Sequence, residues 1–430
     1  MKPNFLALGL LTASTALAVQ PAFAQYGQGQ PASSASSAPQ TNDRKGEAPA
    51  AGNERKITIS KPAQKAVMDL QNAVTAKDTA TIPAKLAAAR AVAKTPEDLY
   101  YIATLELRAG IAAQDYTVIA SAIEAIIATN QAPQDELAIN YLNLGKAYRN
   151  LKQYDKAIPA IERAAQLTPS DTEIVVFLGD TQVTAGQTAQ AIQTLRKAIA
   201  TKQAAGQKAN ESWHKRALTL AYDSKSPMTS AIAREWVQAY PTSSNWKDAI
   251  GVYRNLTKPP EPVLMDLLRL ARVTDSLNGD PDYNAYAYIA VEMRNAAEGK
   301  ALIDAAAAAG KIDLNKPIFK EIQAGFKNKP MPGEDILEKS AATQLAGSDG
   351  AALLVTANRF YGIGKYARAA ELFRAALAKP GVDKDQANLE LGIALTAAGD
   401  KAGAKAAFDA VGGTRTEVAK YWLAYLASKA

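Results

Sequence analysis

The chain has 430 residues, 48% hydrophobic and 21% charged, which excludes wholesale disorder and leaves length for several domains or one long repeat array. With no cysteine and a single histidine, disulfide frames, thiol nucleophiles and metal sites built from Cys and His are excluded. A net charge of +7 is mild at this length and leaves no footprint of nucleic-acid binding.

Residues 1–24 read as a secretory signal peptide. Lys2 supplies the positive start, Phe5 to Val19 is apolar, and Ala22-Phe23-Ala24 presents a small-x-small cleavage pattern before Gln25. The apolar run falls short of the ~20 residues a membrane span needs, and no later segment is apolar enough to take that role. The mature chain is therefore expected outside the inner membrane, in the periplasm, without a spanning helix. Residues 25–57, rich in Gln, Ser, Pro and Ala, have almost nothing to bury and are expected to form a disordered tether.

From residue 58 onward apolar residues recur at three- and four-residue spacing, with no sustained alternation, so only helices are predicted. Thr95-Pro96-Glu97-Asp98 places a capping hydroxyl, a first-turn proline and an acid three residues after the cap. Ser170-Asp171-Thr172-Glu173 is expected to repeat that logic as a capping box. Residues 63–94, 97–128 and a stretch from Ala285 read as irregular helical pairs. The tract 206–338 is a divergent helical-pair region that departs most at 206–282, and Lys327–Asp335 is expected to hinge the regular halves on either side.

Two of those halves carry a repeated pattern. Counting from Ala138, large residues fall at Tyr141, Leu144, Tyr148, Tyr154 and Ile161, small ones at Gly145, Ala157 and Ala164, and Pro169 closes the unit. Small residues let two helices approach closely, and the large ones fill the seam around them. The pattern returns 34 residues later in Leu178-Gly179, Ala191, Leu195 and Ala198. It appears again in Ala357, Ala369 and Phe373, and 35 residues on in Gly392, Ala404 and Phe408.

This spacing resembles the tetratricopeptide repeat, with units at 138–171, 172–205, 350–383 and 385–413. The resemblance implies an all-α, TPR-type α-solenoid of antiparallel helix pairs, in two regular parts (58–205 and 339–430) joined by a divergent helical middle. Stacked pairs of this kind are expected to form an elongated rod or arc, and the last segment, with Tyr421, Trp422 and Tyr425, to cap its end. It also implies a concave groove lined by the first helix of each unit. On this chain the implied partner-binding residues are Leu142, Lys146, Arg149 and Asn150 in one unit and Asp180 in the next. Members that clamp carboxylates use lysine and asparagine where Leu142 and Lys146 stand here, so that partner class is unsupported. The implied function is a non-enzymatic scaffold or adaptor for protein or peptide partners, with no cofactor and no metal.

The alternative is a cell-wall or polysaccharide-associated enzyme or accessory protein working through the middle. Lytic transglycosylases pair a catalytic Glu-Ser with helical superhelices, and Glu211-Ser212 occurs here, but the residues after it lack the matching glycine-led segment. His214 is expected to be structural or at the surface. Asp280-Pro281-Asp282 imitates a calcium loop yet has Ala285 and Val291 where glycine and glutamate are required. Gly362-Ile363-Gly364-Lys365 is too short for a phosphate loop. Trp213, Trp236, Trp246, Tyr283, Tyr286 and Tyr288 are expected in the core rather than around a pocket.

Overall fold

The computed structural model describes residues 58–327 and 329–429, and these contain 21 α-helices and no strand. The expected leader and tether, residues 1–57, lie outside the described residues. The described residues form two compact units, divided between Leu167 and Thr168.

The first unit contains α1 (Gln64–Thr75), α2 (Ile82–Val92), α3 (Pro96–Ala113), α4 (Tyr116–Ala128), α5 (Gln134–Asn150) and α6 (Tyr154–Leu167). The capping box before α3 forms as expected: Thr95 accepts from the Asp98 N–H while the Asp98 carboxylate accepts from Thr95. Asp98 also takes the Ser60 hydroxyl at 2.6 Å and the Ser60 N–H at 2.8 Å. Burial raises its pKa, but these bonds outweigh burial and bring it down to about 2. The start of the described chain is thereby tied to α3.

The second unit begins with α7 (Thr172–Thr184), α8 (Thr188–Ala204), α9 (Glu211–Asp223), α10 (Thr229–Ala239), α11 (Ser243–Thr257) and α12 (Glu261–Val273). It continues through α13 (Gly279–Glu292), α14 (Ala296–Ala308), α15 (Pro317–Lys327) and α16 (Glu334–Ala346). It ends in α17 (Gly350–Gly362), α18 (Tyr366–Leu377), α19 (Lys384–Ala398), α20 (Lys401–Asp409) and α21 (Thr416–Ser428). Before α7 the cap is Asp171, whose side chain accepts from the N–H groups of Glu173 and Ile174. The expected Ser170 capping box is thus corrected by one residue, the carboxylate being the stronger acceptor next to a helix N-terminus.

One turn recurs. Between α5 and α6, α7 and α8, α13 and α14, and α17 and α18, a left-handed residue follows the first helix: Lys152, Gly186, Arg294 and Gly364. Each turn closes with the same pair of backbone bonds, as in Arg294 N–H to Val291 O and Asn295 N–H to Ala290 O. The α13–α14 pair of the divergent middle therefore has the hairpin of a regular unit, with arginine standing where glycine is easiest.

The small residues do what their spacing suggests. A Cβ on Gly145 would sit 2.4 Å from Ile161 Cγ1, and one on Gly392 would sit 2.4–2.8 Å from the Phe408 ring. On Gly179 the nearest atom, Leu195 Cγ, is 3.4 Å away, an ordinary contact. Gly392→Ala should therefore lower stability by about 1–3 kcal/mol through overpacking. Gly179→Ala should be neutral or stabilising by up to ~1 kcal/mol, because it only gains helix propensity. Urea-melt midpoints of the two variants check this; equal losses would show that the seams are alike.

Two expectations are corrected. Residues flanking the predicted hinge are bonded directly across it, with Asn295 Nδ2 donating to Asn358 O at 2.8 Å and Arg359 Nε to Arg294 O at 3.0 Å. Met331 of the loop packs on the apolar cluster of α12–α15, which holds that part of the loop in place. The second unit is the expected all-helical array of stacked antiparallel pairs, but its end does not stay open. Its last helix does cap α20, stacking Trp422 on Phe408, but it also returns to the middle of the unit. Tyr421 donates its hydroxyl to Ala249 O on α11, Trp422 donates Nε1 to Asp266 O on α12, and Arg234 of α10 pairs with Glu417. The apolar face of α21 is wide enough to cover both surfaces, so the unit closes on itself.

Candidate functional site

The four predicted partner residues of the first unit lie on α5 at spacings of four, three and one, which puts them on one face of the helix. Leu142, Lys146 and Arg149 are half-buried and Asn150 is exposed. Burial draws the Lys146 ammonium below the usual lysine value. Asn150 turns its amide back to Lys146 O at 2.9 Å. Asp180, on α7 of the second unit, is committed to an ion pair with Arg216 of α9 at 2.8 Å. The face on α5 is thus apolar at Leu142 and cationic beside it.

The motifs weighed for catalysis resolve into structure. Glu211 in the first turn of α9 pairs with Lys215 at 3.1 Å and accepts Asn245 Nδ2 at 2.9 Å and Trp236 Nε1 at 3.2 Å. The Lys215 contact leads in holding its carboxyl below the ordinary value. A general acid needs the opposite shift. His214 is buried beside Tyr240 with their ring centroids 5.8 Å apart, and burial lowers its pKa. Asp280 and Asp282 fall in the first turn of α13, where Asp282 pairs with Arg254 at 2.7 Å and Asp280 with Lys316. Gly362 ends α17 and Gly364 makes the left-handed turn between α17 and α18. Of the six aromatics expected in the core, five are buried; Tyr288 is 55% exposed.

Sequence reasoning missed the main polar constellation. Helix α12 is buried on every face: Val263, Leu267, Leu270 and Ala271 enter one apolar cluster, while Met265 and Leu268 enter another. Two charges on that helix have no route to water and must find partners inside. Arg269 donates Nε and Nη2 to the two oxygens of Glu298 at 2.9 and 2.7 Å and Nη2 to Asn358 Oδ1 at 3.0 Å. Asp266 accepts from Arg415 at 2.8 Å. Glu390 accepts from Asn358 at 2.8 Å and Gln386 at 3.0 Å, and Tyr286 donates to Glu298 at 2.7 Å. Three deeply buried carboxyls thus face two buried guanidiniums. Burial first, then Glu390, pushes Asp266 up to about 7 against the pull of Arg415 and Arg269; burial also raises Glu390. The only sequence signal was D-x-x-R inside the apolar run MDLLRLAR. At 0–2% exposure the carboxyls and Arg269 do not meet a solute, so the constellation locks α12 to α14, α17 and α19 rather than acting on a substrate.

An accessible concavity lies elsewhere in the second unit. A groove of about 670 Å³ runs between α10, α20 and α21. Leu423, Ala424, Leu426 and Ala427 with Ala231 supply its apolar lining. Arg234, Lys401, Lys405 and Lys420 line it together with Glu235 and Asp409. It is formed by two second helices and the capping helix, not by the first-helix face that the repeat pattern pointed to. Among the described residues no helix is long and apolar enough to cross a membrane.

The tetratricopeptide repeat family profile matches residues 149–209 and, separately, 354–413. No curated protein matches the chain. Among solved structures, a tetratricopeptide repeat protein from Parabacteroides merdae is 10% identical, covering 76% of this chain and 98% of its own, with a TM-score of 0.27. The C-terminal part of a TPR repeat-containing protein from Cytophaga hutchinsonii is 12% identical, covering 75% and 98%, also at 0.27. Superpositions this low carry no argument, and the profile matches stand on the repeat residues themselves. The chain therefore carries tetratricopeptide repeats in two stretches, one across α6 to α8 and one across α17 to α20.

Proposed function

We propose that the protein is an exported, non-enzymatic tetratricopeptide-repeat scaffold that binds protein or peptide partners on the first-helix faces of its repeats. The observation that carries the reading is the repeat itself, matched twice, with Leu142, Lys146 and Arg149 forming an apolar and cationic face on α5. Such a face suits an extended or helical peptide of some acidic character. The leader motif ending at Ala24 supports export to the periplasm.

The test is affinity capture from the exported fraction of the host with the mature chain as bait. One or a few proteins are expected in near-stoichiometric amount, and Lys146→Glu/Arg149→Glu is expected to reduce their recovery at least tenfold. Recovery of no partner, or recovery unchanged by the double variant, defeats the reading of this face.

A further inference from the structure

We propose that the groove between α10, α20 and α21 is a second docking site, distinct from the α5 face, for an acidic amphipathic helix of a protein partner. Each bounding helix presents one continuous stripe. On α10 this is Ala231, Arg234, Glu235 and Gln238; on α20 it is Lys401, Lys405 and Asp409; on α21 it runs from Lys420 to Ala427. Stripes of about eight residues are roughly 12 Å long, the length of two helical turns. A groove whose lining combines apolar side chains with charged ones has the make-up of the receptor half of helix-in-groove recognition, read by residues at i, i+3, i+4 and i+7. The volume lies within the ~300–1,000 Å³ of ordinary ligand sites.

Charge selects the occupant. Arg234 and Lys420 share one carboxylate, Glu417. Lys405 is matched by Asp409 of its own helix. Lys401 bonds a carbonyl, Lys429 O at 2.8 Å, and not a carboxylate. Glu235 is taken by Arg196 of α8. The lining thus keeps cations in excess of the acids beside them, and a partner with carboxylates flanking an apolar ridge meets both features. The chain's own residues 25–57 do not: they hold four bases against three acids and few apolar side chains. A second copy docking the same groove about a two-fold axis would bring this cationic rim against itself.

The experiment uses the full mature chain and a fluorescent helical peptide of about 14 residues, leucine at the i, i+3, i+4, i+7 positions and glutamate on the polar face, followed by anisotropy. Saturable binding is expected, weakening with added salt. Lys405→Glu/Lys420→Glu, at two exposed lysines, should weaken it at least tenfold while circular dichroism stays unchanged. A peptide with the same leucines and lysine for glutamate should bind at least tenfold more weakly. Lys146→Glu/Arg149→Glu should leave this binding untouched, so failure here is separable from failure of the α5 face. No saturable binding, equal binding of the lysine peptide, or insensitivity to the groove variant overturns the proposal. Binding of anionic vesicles in place of the peptide overturns it as well. So does concentration-dependent dimerisation lost in the groove variant, which would make a second copy the occupant.

Discussion

Arg269→Met is expected to destabilise the second unit by about 3–5 kcal/mol, the loss seen when one partner of a buried ion pair is removed. The guanidinium is 2% exposed and lies 4.6 Å from the Tyr361 ring while bonded to Glu298 and Asn358. Methionine fills similar volume, so packing is nearly conserved and the loss reports the charge. Glu298 is left with donors that carry no charge, Tyr286 and Asn295. Asp266 loses one of its two neighbouring cations. For a unit of this size the melting temperature should fall by on the order of 10 °C. Adding Glu298→Leu should recover part of that loss, since removing both partners removes the uncompensated charge. Recovery stays incomplete because Tyr286 then loses its carboxylate acceptor and Asn295 keeps only Asn358 O. Thermal and urea unfolding of both variants decides the matter. A single-variant loss below ~1 kcal/mol, the size of a surface pair, would mean that the constellation does not hold α12 in place.

What could be read before the fold was known follows from how local each signal is. The regular pairs were legible because Gly145, Ala157 and Ile161 act within about one repeat, and their spacing is itself the geometry of the seam. The α13–α14 pair was harder to read as regular, because its turn takes the left-handed conformation at Arg294, and nothing in arginine announces that. Its close approach is made by Gly299 against Ala287, on the second helix rather than the first. The return of α21 was not legible at all. Tyr421 meets Ala249 from 172 residues away and Arg415 meets Asp266 from 149. An apolar helix face declares that it will be covered and not by what. The same limit applies to sites: Leu142 and Lys146 came from a repeat register, whereas the α10–α20–α21 groove exists only once distant helices meet.

Trp422→Ala is the second large effect expected, and it tests that closure. The indole is 1% exposed, stacks on Phe408 with centroids 5.8 Å apart, meets Tyr425 edge-on at 6.0 Å and donates to Asp266 O at 3.2 Å. Truncating a fully buried tryptophan costs about 3–5 kcal/mol, through lost apolar burial and the cavity left behind. Were α21 only an end cap, the damage would be confined to the last pair, as nearest-neighbour coupling in repeat arrays requires. Because the indole bridges α20 and α12, amide hydrogen exchange should instead accelerate in two places: α19–α21, and α11–α12 more than 150 residues upstream in the sequence. The α5–α6 pair belongs to the other compact unit and should keep its protection. Trp422→Phe, which restores the stack but not the donor, should regain most of the stability and so separate packing from the hydrogen bond. Protection lost only in α19–α21 would show that the second unit is an open array whose last helix rests on the middle without supporting it.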